Sequence, residues 1–224
     1  MEFQAARQAL VQSLRREISD QRVLDAFARV PRERFVAPEL ERYAYDDRAL
    51  PIGHDQTISQ PLMVALMLHA LALTGDEKVL EVGTGSGYQA ALLSTLVREV
   101  ITVERIPELA AGAERRLRDL GCDNVHVHIA RDDLGWPEDG PFNAIIVAAG
   151  APDVPSSLVD QLAMGGRMVV PVGARRLQQL VRVTRSERGV TLEKLGECRF
   201  VPLIAPAEGW PAREPTPNGS RPQA

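Results

Sequence analysis

The stretch VLEVGTGSGYQAALL at 79–93 limits what this chain can fold into more than any other. The apolar run 78–82 reads as a strand and 88–97 as a helix, with Gly83, Gly85 and Gly87 between them. Ordering glycine is entropically costly, so it stays where backbone turns sharply or approaches a ligand closely. Strand, glycine turn and helix together cradle a nucleotide-like ligand in open α/β sheets. A tight turn without a ligand is the bland alternative. Two acids speak against it: Glu81 just before the turn, and Glu104 at the end of the next strand, where a carboxylate can accept from ribose hydroxyls. The dinucleotide fingerprint G-x-G-x-x-G is not met, because its third glycine position holds Tyr88.

Strands and helices then alternate. Strands are expected at 99–103, 125–129, 143–148 and 167–172, and helices at 107–120 and 155–163, with a loop at 130–141. Pro107 opens the first of these helices and Gly121 closes it. Stretches 179–185 and 190–203 read as an antiparallel pair at a sheet edge. The fold class is α/β: a doubly wound Rossmann-like sheet, mostly parallel with an antiparallel C-terminal edge, preceded by N-terminal helices at 4–16 and 20–30. Asp20 can cap the second helix, and Pro31 follows its end. Residues 31–60 are rich in turn formers and read as a long ordered loop, a length usually tied to function. Residues 61–73 form a helix apolar nearly all round, hence buried, with Pro61 as its first residue and Gln60 as its cap. Five prolines after position 205 predict a tail, 206–224, that does not order. A single domain thus covers 1–205, with 1–76 a helical and loop part and 77–205 the Rossmann-like core.

At 224 residues and 45% hydrophobic, the chain can bury one substantial core. A net charge of -4 lacks the basic excess of a nucleic-acid binder. Cys122 and Cys198 match no metal spacing and read as small buried apolar residues. His126 and His128 point the same way on a strand without a ligand pattern, which favours packing over metal. Arg115-Arg116 reads as a solvated helix face. The longest apolar run, 62–73, is too short to span a bilayer, and the first twenty residues lack a signal-peptide core. A cytoplasmic monomer with no metal, membrane or nucleic-acid partner is the expectation.

VLEVGTGSGYQAALL followed by VITVER resembles the first two motifs of S-adenosylmethionine-dependent methyltransferases. RVPRERFV at 29–36, ALPIGHDQTISQP at 49–61 and CRFVPLI at 198–204 are similar to the signature of the protein-L-isoaspartate O-methyltransferases. The resemblance implies methyl transfer from S-adenosylmethionine to the free carboxylate of isoaspartyl residues in damaged proteins. The ester then collapses to a succinimide without the enzyme. A carboxylate with a pKa of about 4 is already ionised at neutral pH, so no general base is needed. Rivals are a cofactor binder without catalysis, which the intact TISQP run opposes, and a methyltransferase for small molecules or nucleic acid.

Cofactor contacts are implied for Glu81, Gly83, Thr84 and Gly85, then for Ser86, Gly87 and Gln89. Glu104, with Arg105 beside it, would take the ribose. The family's active-site serine falls at Ser59, in one element with Thr57 and Ile58. Read from the residues alone, Ser59 lies just outside a helix start, whose free N–H groups and partial charge suit a carboxylate. It could equally serve only to cap that helix. Val201 and Pro202 belong to a motif near the substrate cleft, and Pro202 could leave backbone free for an extended peptide. One departure stands out. The family's Gly-Asp-Gly after the third strand is here Ala130-Arg131-Asp132, and Arg131 cannot accept a hydrogen bond. Asp132 is the nearest candidate acceptor for the adenine amine, with Asp133 or a backbone carbonyl as alternatives.

Overall fold

In the computed structural model, which describes residues 2–211, helices α1 (Glu2–Leu14) and α2 (Gln21–Arg29) come first. Asp20 caps α2 by accepting the Arg22 N–H, and Val23, Leu24, Ala26 and Phe27 form its buried face. The stretch expected as a loop, 31–60, carries regular structure of its own. Two 3-10 turns, Arg32–Phe35 and Pro38–Tyr43, lead into a hairpin of β1 (Leu50–Gly53) and β2 (Gln56–Ile58). His54 and Asp55 turn the hairpin with φ of 52° and 56°, the left-handed pair that a two-residue primed turn requires. Because the turn lacks an Asn-Gly pair and its strands are very short, spacing alone predicts only a loop there. Pro61 then opens α3 (Pro61–Leu71), with Gln60 at the cap position.

From here the chain alternates as the periodicity predicts: β3 (Lys78–Val82), α4 (Tyr88–Ser94), β4 (Glu99–Glu104), α5 (Pro107–Asp119), β5 (Val125–Ile129) and β6 (Phe142–Val147). The order within the seven-stranded sheet is β5-β4-β3-β6-β7-β8-β9, where α6 (Ser156–Asp160) precedes β7 (Leu162–Ala174), β8 (Leu177–Ser186) and β9 (Gly189–Cys198). Strands β5 to β7 run parallel, whereas β8 and β9 add on antiparallel. Strand order reverses between β3 and β6, so the carboxyl ends of those strands open a crevice at the glycine turn. Alternate residues of the central strands feed two cores. Val79, Val100, Ile146 and Val169 pack with the residues of α1 to α4; Leu80, Ile101, Ile145 and Met168 pack with Trp136, Phe142 and Leu158 on the other face.

Several boundaries differ from expectation, and α4 ends at Ser94 rather than 97. The helix expected at 155–163 is only five residues long, and β7 begins at Leu162 rather than 167. Leu162 pairs with Phe142 and Arg167 with Ala144, so 163–166 bulge out around Gly165 at φ +79°. The last strand stops at Cys198, and Pro202 instead bridges Gly150. Of the expected disordered tail, 206–211 fold back onto the domain. The Glu208 carboxylate accepts from the backbone and hydroxyls of Ser156 and Ser157, and Trp210 N–H reaches the Leu203 carbonyl at 2.6 Å. The remainder of that tail, 212–224, lies outside the described residues.

Gly87 shows what the third glycine of the turn is for. Its φ is +89°, and a Cβ there would lie 3.1 Å from Ala113 Cβ on α5. Gly87→Ala should therefore cost about 1–3 kcal/mol through left-handed strain and crowding of α5. The measurement is a urea titration, expected to show a lower midpoint with an unchanged slope. An unaltered midpoint would mean that α5 gives way freely.

Candidate active site

A cavity of about 170 Å³ opens at the strand-order reversal, and residues 56–59, 83–86, 130–135 and 201–206 form most of its wall. Thus the hairpin, the glycine turn, the loop after β5 and the C-terminal segment meet around one space. A second cavity of about 200 Å³ adjoins it and shares Thr57, Ser59, Ala148 and Val201 as a common wall. Ser59 is half-buried at that partition. Two ligands of modest size can therefore meet across it.

The glycine turn is held from behind. Gly83 and Thr84 both donate to the Val103 carbonyl at 2.9 and 3.2 Å, which pins the turn to the end of β4. A Cβ on Gly83 would lie 3.4 Å from that of Ala148, and one on Gly85 (φ +53°) 3.3 Å from Ile52 Cδ1. Ile52 is the residue the hairpin register skips between Pro51 and Gly53, and such a bulge re-aims a side chain. Here it aims Ile52 over Gly85. On the far side Arg116, expected as a solvated helix residue, reaches back to the Ser86 carbonyl at 3.3 Å. Ser86 Oγ accepts the Tyr88 N–H at the start of α4.

Glu104 lines the cleft with both oxygens engaged: Oε2 accepts Gly85 N–H at 2.9 Å and Oε1 accepts Ile106 N–H at 3.0 Å. Each carboxylate oxygen has a second lone pair, so a diol can still be bound there. Arg105 is exposed at the same rim. Glu81 and Gly87, by contrast, do not line the cavity. Glu81 is fully buried beneath it, with Oε2 accepting Thr102 Oγ1 at 2.5 Å; Thr102 in turn sits 2.6 Å from Thr84 Oγ1. Burial pushes the Glu81 carboxyl up to about 8, against the pull of the Thr102 hydroxyl. Among the described residues Glu81 Oε1 and Gln89 Nε2 are buried without a partner, and Gln89 lines the cleft. Of these two, only the Gln89 donor lines the cleft, where it can meet a ligand with an amino-acid end.

On the opposite wall Asp132 is exposed and lines the cavity, while Arg131 pairs with Glu138 and stacks 4.4 Å from the Trp136 ring centroid. His128 packs on that same ring at 4.2 Å. Cys198 is buried against the second cavity, where desolvation raises its thiol to about 11.

Two expectations about the substrate side change. The N–H of Leu62, one of the groups at the α3 start left open for a carboxylate, already donates to Asp47 Oδ1 at 2.8 Å. Nor is the backbone of the 201–203 stretch free on both edges. Val201 O accepts from Gly150 N, and Leu203 N donates to Gly150 O, each at 2.8 Å. Pattern reading missed Ile52, Asp47 and Arg116. All three act through backbone or packing rather than through a motif, so only a hairpin prediction could have exposed the first.

The protein family described as Protein-L-isoaspartate(D-aspartate) O-methyltransferase (PCMT) matches residues 5–208. Protein-L-isoaspartate O-methyltransferase of Geobacter metallireducens is 51% identical over 217 residues, covering 96% of this chain and 100% of that one. Protein-L-isoaspartate O-methyltransferase 2 of Marinobacter nauticus is 54% identical, covering 92% and 95%. Among solved structures, one protein-L-isoaspartate O-methyltransferase superposes with a TM-score of 0.78 at 30% identity, over 87% of this chain and 65% of that longer one. A Plasmodium falciparum structure described as the same enzyme, in complex with S-adenosyl-L-homocysteine, gives 0.75 at 28% identity, over 86% and 95%. Together with a match that leaves few of the described residues outside it, these relatives show that the chain belongs to the protein-L-isoaspartate(D-aspartate) O-methyltransferase family.

Proposed function

We infer that this chain transfers a methyl group from S-adenosylmethionine to the free carboxylate of isoaspartyl residues in peptides and proteins, the first step of their repair. The partition at Ser59 carries the assignment: it stands between the cleft lined by the glycine turn and Glu104 and a second cavity, as part of the wall they share. S-adenosylmethionine supplies a methyl group on a cationic sulfonium. Gln89 and the glycine turn fit its amino-acid end, Glu104 its ribose and Asp132 its adenine amine. Thr57 and Val201 line the second cavity as well, where an isoaspartyl peptide would lie, with Ile58 and Pro202 beside them on the wall of the first. The same reading takes 1–205 as one domain acting as a cytoplasmic monomer. Among the described residues no helix is long and apolar enough to cross a membrane.

The chemistry asks little of proton transfer. The attacking carboxylate is ionised at neutral pH, and the step joins an anion and a cation into neutral products. Alignment and exclusion of water matter most. A neutral hydroxyl suits alignment better than a cation would, because a cation would hold the ground-state carboxylate more tightly than the transition state in which its charge fades. Ser59 offers such a hydroxyl.

Three outcomes test this. With labelled S-adenosylmethionine and paired peptides of one sequence, only the isoaspartyl form should gain a base-labile methyl ester; equal labelling of the aspartyl form would overturn the assignment. Ser59→Ala should lower turnover by an amount equivalent to about 1.5–3 kcal/mol while calorimetry shows cofactor affinity nearly unchanged. A collapse of cofactor affinity would instead place Ser59 in the cofactor site. Asp132→Ala should weaken cofactor binding by about 1–3 kcal/mol. Unchanged binding would leave Glu104 and burial as sufficient.

A further inference from the structure

Ser59 takes its position from a segment that lies behind it. Arg32, in the first 3-10 turn, has no exposed surface. Its Nε donates to the Ala44 carbonyl at 2.8 Å and its Nη2 to the Ser59 carbonyl at 2.9 Å. The guanidinium carbon stands 4.9 Å from the ring centroid of Tyr88, the residue that follows the glycine turn. Phe27 and Phe35 meet that ring edge-on, so the platform under Arg32 is itself fixed. Beyond Ser59, Asp47 Oδ1 holds the Leu62 N–H at 2.8 Å. One segment therefore holds the backbone that follows the Ser59 side chain at two points, the Ser59 carbonyl and the Leu62 N–H. A hydrophobic residue of similar volume would satisfy packing alone, and burying a charge is costly. What the guanidinium adds is direction: a planar fork joining two carbonyls, which a lysine cannot reproduce.

We propose that Arg32 and Asp47 are positioning residues for methyl transfer, fixing at two points the backbone that follows the Ser59 side chain so that its hydroxyl is aimed at the reacting carboxylate. The proposal rests on Ser59 as the aligning group. Neither residue would touch cofactor or substrate. Arg32 lies outside both cavities, as does Asp47. Their effect on rate passes through Ser59 alone.

Arg32→Lys and Asp47→Ala are each made in the wild-type chain and in Ser59→Ala. Turnover and KM are measured with an isoaspartyl peptide, and rates are normalised to the fraction of protein that binds S-adenosylhomocysteine in calorimetry. In the wild-type background Arg32→Lys should lower kcat about 10–100-fold, the scale of a misplacement of an ångström or less, with KM little changed. Asp47→Ala should lower it about 3–10-fold, the scale of one ordinary hydrogen bond at an exposed site. The dissociation constant for S-adenosylhomocysteine should stay within about threefold in each. In the Ser59→Ala background both substitutions should change kcat by less than about twofold, because neighbours that act through one group are not additive. Equal losses in both backgrounds would overturn the proposal and leave the segment merely structural. Asp47 is exposed, so its variant keeps the test decisive if Arg32→Lys does not fold. A Ser59→Ala chain with wild-type turnover would sink the Ser59 assignment itself, an outcome distinct from additivity.

Discussion

A buried guanidinium cannot borrow hydrogen bonds from water; Arg32 donates through Nε and Nη2 to main-chain carbonyls of Ala44, Ser59 and, at 3.5 Å, Arg48, while its Nη1 is buried without a partner. Those acceptors belong to a stretch with little ladder structure, which is why a turn-rich sequence is ordered here at all. The cost of desolvating the charge makes the arrangement cooperative, since each bond is useful only while the others hold. A second tie links the same stretch to α1: Arg7 donates to Tyr45 Oη at 2.8 Å and pairs with Glu33 at 3.0 Å, while the Tyr45 hydroxyl donates to Glu33. The N-terminal helices thus act as a backing plate for the hairpin that roofs the cleft.

Beneath the cleft the electrostatics run the other way. Glu81 has no exposed surface, and burial raises its carboxyl to about 8, which favours the protonated form. A folded-state carboxyl pKa above the unfolded value means that the native chain holds a proton the unfolded one has lost, and this term weakens the fold as pH climbs from about 4 through 8. A cation arriving above Glu81 favours the ionised form, so ligand charge and that proton oppose each other. The two threonine hydroxyls between Glu81 and the turn give the change a path into Thr84.

Much of this was legible in the sequence. Hydrophobic period and punctuation set β3, β4, β6 and α5 to within a residue, because those strands are central and buried and Pro107 and Gly121 bound α5 sharply, whereas α4 stops three residues short of its apolar pattern. Boundaries failed where a local interaction overrode the pattern. Gly165 lets β7 bulge and start early, and Glu208 draws part of a proline-rich stretch onto α6. For the candidate site, the TISQ element, the glycine turn and Glu104 were visible as motifs. Ile52, Asp47 and Arg116 were not, since each works through a backbone group far away in sequence. Glu81 illustrates a different limit. A motif shows that an acid belongs there, while only packing shows it lies below the cavity wall instead of in it.

The cleft draws its walls from residues 56–59 near one end of the described chain and 201–206 near the other. A ribosome adds residues in order, at about 5–20 per second, and so makes the hairpin and the glycine turn seconds before the segment that closes the opposite wall. Until then the crevice between β3 and β6 lacks Val201 and Leu203, and the apolar faces that they cover stay open. The last wall is thus made last, in the segment that Glu208 clips to α6. A nascent chain stalled earlier holds most of the sheet and an unclosed cleft.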